Sequence, residues 1–364
     1  MRKEKRIDFL GCMEESVWFN KTNNTYFNIL NKKYNVIIDT KKPDYLFLGP
    51  YLFTNIYAQD KFLNSKIRIF LTYEAIVPDF NCVDYAISKF DNIILEDRCL
   101  KVLHNNISYL SNNIKQEDGV KILNEKTMFC NFIYSHGEIR ERKKIFKTLS
   151  TYKKVNSLGN YLNNTKIDNE MGQNGNWLKS SIELKKPYKF SIAFENASHV
   201  GYTTEKIVTS FLANTIPIYW GDTKIDRYIN SKSFINCHDY PSFDEVLKRV
   251  KEIDNSDDLY TEILNQKRLT ELGQKEVEER DSKLENFLYQ IFSQEIDQAR
   301  RRGRGLWNSM NEKQISNTMQ EYKWIKYGII SRKEKLLIPL REFSKKIGLY
   351  WIITIPKRLL NVFK

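Results

Sequence analysis

The clearest alternation of apolar and polar positions lies between residues 188 and 221. The apolar run Phe190–Phe194 predicts a short buried strand. Apolar residues then recur at helical spacing over Ile207–Leu212, with Thr203 or Thr204 as a plausible helix cap. A second apolar run, Ile216–Trp220, ends at a glycine. This order of strand, polar loop, helix and strand predicts a parallel βαβ unit.

Further strand-like runs precede this unit along the chain. They alternate with helical stretches and lie at Asn35–Asp39, Tyr45–Leu48, Ile67–Leu71 and Met128–Tyr134. Such alternation is typical of the α/β class. The 364 residues suit two domains of ordinary size.

The loop of the βαβ unit and the start of its helix carry four polar side chains, Asn196, Tyr202, Glu205 and Lys206. In open α/β sheets, ligands bind at the carboxyl ends of the strands, where this loop would lie. The free N–H groups and the dipole of a helix start favour an anion. Lys206 is badly placed to complement that dipole, so a phosphate is its natural partner. The alternative is that Glu205 and Lys206 are solvated and that Tyr202 only packs.

The whole segment resembles the donor-binding signature of the α-1,3-fucosyltransferases, in particular the bacterial enzymes. It reads Phe-Glu-Asn from residue 194, Tyr at 202, Thr-Glu-Lys from 204 and Ile-Pro-Ile-Tyr-Trp-Gly from 216. The resemblance implies an inverting transfer of L-fucose from GDP-fucose. It also implies an α/β fold of the GT-B type, in which two Rossmann-like domains face each other across a cleft. We therefore expect an acceptor-binding domain over residues 1–152, a nucleotide-sugar domain over 153–298, and a basic amphipathic helical tail over 299–364.

The same resemblance assigns roles to single residues. An arginine after the turn at Ser135 would contact the donor diphosphate, and the spacing selects Arg142, with Arg140 as a rival because the turn lacks the usual Asn and Pro. Glu74, directly after the strand that ends at Leu71, would be the general base. The donor-binding set would be Arg142, Asn196, Tyr202, Glu205 and Lys206. Arg142 on a solvated helix face and Glu74 in an ordinary loop are the alternatives.

Within this set, Arg142 and Lys206 would neutralise the departing diphosphate, and Glu205 would accept hydrogen bonds from ribose hydroxyls. Asn196 and Tyr202 would orient the sugar or the phosphate. We leave Glu195 out of the set, because next to the strand it is expected to satisfy buried backbone donors.

Metal chemistry is not expected to be required. The chain contains no Asp-x-Asp triplet, and its four histidines are scattered without ligand spacing. Mg²⁺ or Mn²⁺ would at most stimulate turnover by screening the diphosphate. The five cysteines are widely spaced and odd in number, which argues against a disulfide framework. With no signal-like apolar core at the N-terminus, we expect a cytoplasmic bacterial enzyme.

Charge is concentrated at the C-terminal end. Residues 300–364 contain 16 Lys and Arg against 4 Asp and Glu, so the rest of the chain is close to neutral. Aromatic and apolar residues are interleaved with these charges, and the longest apolar run is too short to span a bilayer. This pattern favours docking on an anionic membrane surface through residues 300–364, at the inner face of the cytoplasmic membrane. A tail that packs on the enzyme or pairs with a second chain is the alternative, and no nucleic-acid partner is expected.

Two other classes of function stay open. One is a GT-B glycosyltransferase that uses another nucleotide sugar, since the motif indicates a diphosphate and a ribose more directly than it indicates fucose. The other is a non-catalytic membrane or nucleic-acid adaptor that acts through the basic tail. The oligosaccharide acceptor is expected to offer O3 of N-acetylglucosamine in a lactosamine-type chain, or glucose in lactose, with O4 as a further possibility. Bacterial surface-glycan synthesis, such as that of lipopolysaccharide, would give the tail a purpose.

Overall fold

The structure is a computed structural model. It describes residues 2–12, 19–50, 60–72, 74–91, 97–111, 118–135, 137, 139–167 and 177–327, with side chains to residue 317.

The first sheet has six strands in the order β2-β1-β3-β4-β5-β6. β1 pairs in parallel with β2 and β3, and β3 pairs in parallel with β4. The predicted strands at Tyr45–Leu48 and Ile67–Leu71 are confirmed, whereas β1 was not predicted. The strands are β1 (Glu4–Leu10), β2 (Asn35–Ile38), β3 (Tyr45–Leu48), β4 (Ile67–Leu71), β5 (Tyr85–Ser88) and β6 (Cys99–Lys101).

The second sheet has five strands in the order β11-β10-β9-β7-β8, and every pairing in it is parallel. Its central strand β9 is buried on both faces, which explains its nearly continuous apolar sequence. The predicted βαβ unit is confirmed as β9, a helix and β10. The strands are β7 (Met128–Phe132), β8 (Val155–Ser157), β9 (Tyr188–Phe194), β10 (Ile216–Trp220) and β11 (Ile235–Asn236).

Helices connect the strands of both sheets. The α-helices are α1 (Thr25–Lys33), α2 (Asp60–Asn64), α3 (Gly119–Asn124), α4 (Arg140–Ser150), α5 (Trp177–Lys185), α6 (Glu205–Leu212), α7 (Phe243–Asp254), α8 (Asp257–Leu264), α9 (Glu271–Ser293), α10 (Ile296–Ala299) and α11 (Leu306–Tyr327). A 3₁₀ helix covers Asn105–Leu110. Across the described part of the chain, no helix combines the length and the apolar character that crossing a bilayer requires.

The chain divides into two compact units. The first comprises Met1–Phe70, Asp79–Tyr85 and Gln294–Lys364, and the second comprises Leu71–Pro78 and Ala86–Ser293. β7 and α4 were expected in a domain over residues 1–152, but β7 pairs with β9 in the second sheet. The change from one sheet to the next therefore falls before Met128, earlier than the expected boundary. Periodicity along the chain predicts that a segment forms a strand. It does not show which other strand pairs with that segment, because the partner can be distant in the sequence.

The beginning of the expected C-terminal tail is part of the first unit. The guanidinium of Arg302 is buried and forms an ion pair with the buried carboxylate of Asp84. A second ion pair joins Arg302 Nε to Glu312 at 3.2 Å. Residues up to Glu312 are thus attached to the first unit rather than forming a separate tail from residue 299. Residues 328–364, on which most of the membrane-docking prediction rests, lie outside the described residues.

Candidate donor-binding site

Three segments of the second unit meet at the carboxyl edge of its sheet. β9 and β10 run in register, with Phe194 opposite Trp220, so the loop after β9 begins at this edge. β7 is the other neighbour of β9, and its continuation through Ser135 leads into α4. The carboxyl edge of a parallel sheet is where ligands bind in α/β proteins.

Arg142, in the first turn of α4, reaches from its helix to the end of β9. Its Nη2 donates to the carbonyl oxygen of Phe194 at 2.9 Å and to Oδ1 of Asn196 at 2.8 Å. The guanidinium lies over the ring of Tyr134, 4.1 Å from the ring centre. Arg142 is 4% exposed. Arg140 is exposed. The structure thus places Arg142, and not its rival Arg140, beside Asn196, and the contact of Arg142 with the donor diphosphate stays a prediction.

A cavity of about 500 Å³ opens at this point. Its polar lining comes from Tyr134, Ser135, Arg142, Asn196 and Lys206. Arg142 Nε is buried and makes no hydrogen bond to the described residues. The cavity therefore has two cationic side chains in its wall, and this suits an anionic ligand.

Glu195 organises the loop behind the cavity. Its completely buried carboxylate accepts hydrogen bonds from the backbone N–H of Thr204 at 2.7 Å and from the Thr204 hydroxyl at 2.6 Å. Burial raises the pKa of Glu195, against the opposing effects of Lys206 and Thr204. The expectation that Glu195 satisfies a buried backbone donor is confirmed. Thr204 is the N-cap residue of α6, as one of the two predictions had it, but its side chain makes no cap hydrogen bond.

Glu205 and Lys206 form an ion pair, with Lys206 Nζ 3.1 Å from Glu205 Oε1 and 3.3 Å from Glu195 Oε2. Both side chains are about four-fifths buried, which excludes the solvated alternative. Burial opposes ionisation of Glu205, but Lys206 and His104 outweigh it and lower the pKa of Glu205 to about 2. Burial also opposes the charge on Lys206, yet Glu195 and Glu205 hold its pKa above the ordinary value.

Tyr202 packs beneath the loop instead of lining the cavity. It is 1% exposed, and its ring stacks on Phe90 with the ring centres 6.2 Å apart. Burial raises the pKa of its phenol. The structure thus places Tyr202 in the packing position of the alternative interpretation, and a role toward the donor stays a prediction.

Glu74, the predicted base, follows β4 and belongs to the second unit. Its backbone carbonyl accepts hydrogen bonds from the Thr72 hydroxyl at 2.7 Å and from Ile76 N at 2.8 Å, which hold the turn. Its carboxylate is within electrostatic range of Lys89 and of Tyr202. Glu74 therefore lies in the same charged neighbourhood as the loop between β9 and α6, residues 195–204, which we call the donor loop.

Two residues of this neighbourhood were missed in the sequence, Lys89 and His104. The Nε2 atom of His104 lies 3.9 Å from Glu205 Oε2, although His104 had been counted among scattered histidines. Burial, together with the charge of Lys89, lowers the pKa of His104 to about 3, so its ring is neutral at pH 7. No local signal marks either residue, because both reach α6 only through tertiary packing.

The described residues contain no group of three or more His, Cys, Asp or Glu side chains that could hold a metal ion. The carboxylates of Glu195 and Glu205 are both paired with Lys206, which lines the cavity. Arg142 and Lys206 are the cationic side chains that line the cavity.

Comparison with known families accounts for most of the chain. Residues 123–302 match the C-terminal model of glycosyltransferase family 10 (fucosyltransferase), and residues 7–107 match the FucT N-terminal domain of α-(1,3)-fucosyltransferases. The chain belongs to the family 10 fucosyltransferases. Both matches name the family that the signature around Asn196 and Lys206 resembles, so that prediction is confirmed.

Individual relatives agree with this family membership. The α-(1,3)-fucosyltransferase FucT of Helicobacter pylori is 29% identical to this family 10 chain over 245 residues, which is 58% of this chain and 49% of that protein. The chain spans about half, or less, of the length of the curated relatives that it matches.

Solved structures support the fold class. A crystal structure of an α1,3-fucosyltransferase with GDP has a TM-score of 0.59 at 24% identity, and the match covers 79% of this chain and 91% of that one. The corresponding structure with GDP-fucose has a TM-score of 0.60 at 23% identity and the same coverage. The α/β fold with two parallel sheets, expected for a GT-B fucosyltransferase, is confirmed.

Proposed function

We propose that this family 10 chain transfers L-fucose from GDP-fucose to a sugar hydroxyl, with inversion at the anomeric carbon. The observation that carries the proposal is the cavity in which Arg142 and Lys206 converge at the carboxyl edge of the second sheet. Family membership supports the reaction type, and the relatives solved with GDP and with GDP-fucose support the donor.

In this proposal the two cations act on the leaving group. Negative charge develops on the diphosphate as the glycosidic bond breaks, and preorganised cations beside the diphosphate stabilise that charge. Arg142 is held in place by Phe194 and Asn196, so it needs no reorganisation at the moment of reaction. Lys206 stays charged because two carboxylates adjoin it. Glu205 is ionised and can accept hydrogen bonds from ribose hydroxyls.

Glu74 is proposed to be the general base. A carboxylate that takes the proton from the acceptor hydroxyl strengthens the nucleophile as the new bond forms, and this contribution is worth about 10²–10⁴-fold in rate. Attack from the face opposite the diphosphate then gives inversion. The electrostatic coupling of Glu74 to Lys89 and Tyr202 supports its place in the site.

The acceptor is proposed to be O3 of N-acetylglucosamine in a lactosamine-type glycan, or glucose in lactose, within bacterial surface-glycan synthesis. We also propose that residues 300–364 dock the enzyme on the inner face of the cytoplasmic membrane. The charge of this segment supports docking, as do two apolar side chains at the start of α11, Leu306 and Trp307, which are 70% and 77% exposed.

A second candidate donor is another nucleotide sugar. The cavity wall offers charges for a diphosphate, and no residue in that wall identifies the base or the sugar. The test is competition for binding and turnover among GDP-fucose, GDP-mannose and UDP-sugars. Preference for GDP-fucose by tenfold or more, with the product linkage read by NMR, is the expected result. Equal use of a UDP-sugar would overturn the donor assignment.

A further inference from the structure

The turn Lys89–Asp91, which follows β5, packs against the donor loop. Gly201 has φ +85°, and a Cβ there would lie 2.3 Å from the carbonyl oxygen of Lys89. The ring of Phe90 contacts the loop from below, with its centre 4.8 Å from that of His199. This backbone-to-backbone approach fixes Lys89 relative to the loop that carries Asn196.

The side chain of Lys89 points into the charged neighbourhood described above. Lys89 is 3% exposed. It interacts electrostatically with Glu195, Glu205 and Glu74, which come from three separate segments of the second unit. Lys89 therefore belongs to a buried cluster of charged side chains and is not a solvated surface lysine.

Lys89 affects the balance of positive and negative charges around Lys206. Lys206 is shared by two buried carboxylates, those of Glu195 at 3.3 Å and Glu205 at 3.1 Å. Without Lys89, Lys206 and Arg142 give two positive charges against the three carboxylates of Glu195, Glu205 and Glu74. This would leave an excess negative charge beside a cavity suited to an anion. His104 is neutral, and Lys185, whose pKa burial lowers to about 7, is only partly charged at pH 7, so neither supplies the full difference. Lys89 supplies the third positive charge, which balances the three carboxylates.

We propose that Lys89 is a positioning residue for donor binding: its ammonium balances Glu195 and Glu205, so that the positive charge of Lys206 acts on the diphosphate of the donor. The inference rests on the proposed function, in which that cavity holds the diphosphate. Lys89 does not itself line the cavity, so it acts through Lys206.

The charge of Lys89 also depends on pH near neutrality. Burial lowers its pKa to about 8, with the neighbouring carboxylates opposing the shift. Lys89 is therefore charged below pH 8 and loses its charge as the pH rises through that value, and GDP should then bind more weakly. The titratable groups that interact with it are Glu195 after β9, Glu205 and Lys206 on α6, Glu74 after β4, and His104 before the 3₁₀ helix.

The test measures GDP affinity by calorimetry and the kcat and KM for GDP-fucose in the full chain. Lys89→Met should weaken GDP binding by about tenfold or more, as expected for one charge removed from a poorly screened cluster. Most of the effect should be in KM. Lys89→Arg should keep the affinity. Lys153→Met is the matched control, because Lys153 pairs with Asp254 and is half exposed, and it should leave binding unchanged.

The pH dependence of GDP affinity tests the same inference without the Lys89→Met variant, in case that variant does not fold. Wild-type GDP affinity should fall between pH 7 and 9, and Lys89→Arg, which keeps its charge there, should not show the fall. Equal GDP affinity of wild type and Lys89→Met, or the same alkaline fall in Lys89→Arg, would overturn the inference while leaving the proposed function intact. Failure of the wild-type chain to bind GDP at all would instead overturn the proposed function.

Discussion

Replacement of Arg142 by lysine tests whether the cavity needs the guanidinium rather than a positive charge alone. The side chain makes two charge-assisted hydrogen bonds through Nη2, at 2.9 and 2.8 Å, and keeps Nε unused. Such bonds contribute about 1.5–3 kcal/mol each. The lysine side chain is shorter than that of arginine, so its ammonium should not reach both acceptors, and loss of one bond should lower stability by about 2 kcal/mol. Loss of a preorganised group acting on the leaving diphosphate should lower kcat by about 10²–10³-fold.

The assay is GDP release from GDP-fucose, with thermal unfolding recorded on the same samples. Arg140→Lys is the matched control, because Arg140 is two residues away on α4 and exposed. It should leave both activity and stability unchanged. If Arg142→Lys kept wild-type turnover, or if Arg140→Lys were the damaging change, the assignment of the diphosphate contact would be refuted.

Two further predictions concern the loop and its support. Gly201→Ala should destabilise the protein by at least about 1 kcal/mol and reduce activity, because the new Cβ meets the Lys89 carbonyl. Gly305→Ala, at a similar φ of +81° but with open space around it, should cost less stability. Chemical denaturation of both variants measures the difference, and equal losses of stability would contradict the proposed clash. Burial lowers the pKa of Lys185 to about 7, below its unfolded value, so its destabilising effect is greatest below pH 7 and is relieved as the pH rises. Unfolding free energies at pH 7, 8 and 9 should therefore rise by up to about 1.4 kcal/mol per pH unit more in wild type than in Lys185→Met, and parallel curves would exclude the effect.

The sequence predicted the donor loop because its information is local. The βαβ unit from β9 to β10 is continuous in the chain, so periodicity locates the strands. The signature then locates Asn196 in the loop and Glu205 and Lys206 at the start of the helix. Arg142 required only one further step, since β7 lies beside β9. The structure adds the reason for its position, which is a pair of hydrogen bonds to Phe194 and Asn196.

The rest depends on contacts between distant segments, which a single sequence does not reveal. Lys89 and His104 precede Glu205 by about a hundred residues, and neither carries a motif. Asp84 and Arg302 are 218 residues apart, yet their ion pair attaches the start of the tail to the first unit. The burial of Tyr202 was likewise invisible, because an aromatic residue in a polar loop fits either a ligand contact or packing.

The most direct test of the central claim is acceptor-dependent release of GDP from GDP-fucose, with N-acetyllactosamine and lactose as acceptors. The wild-type chain should release GDP only when an acceptor is present. Glu74→Gln should lower the rate by about 10²–10⁴-fold, and Lys206→Met should abolish it. Glu183→Gln, which removes an exposed carboxylate paired with Lys186, is the control and should behave as wild type. Turnover of Glu74→Gln at the wild-type rate would contradict the assignment of the base, and a wild-type chain that neither releases nor binds GDP would contradict the account as a whole.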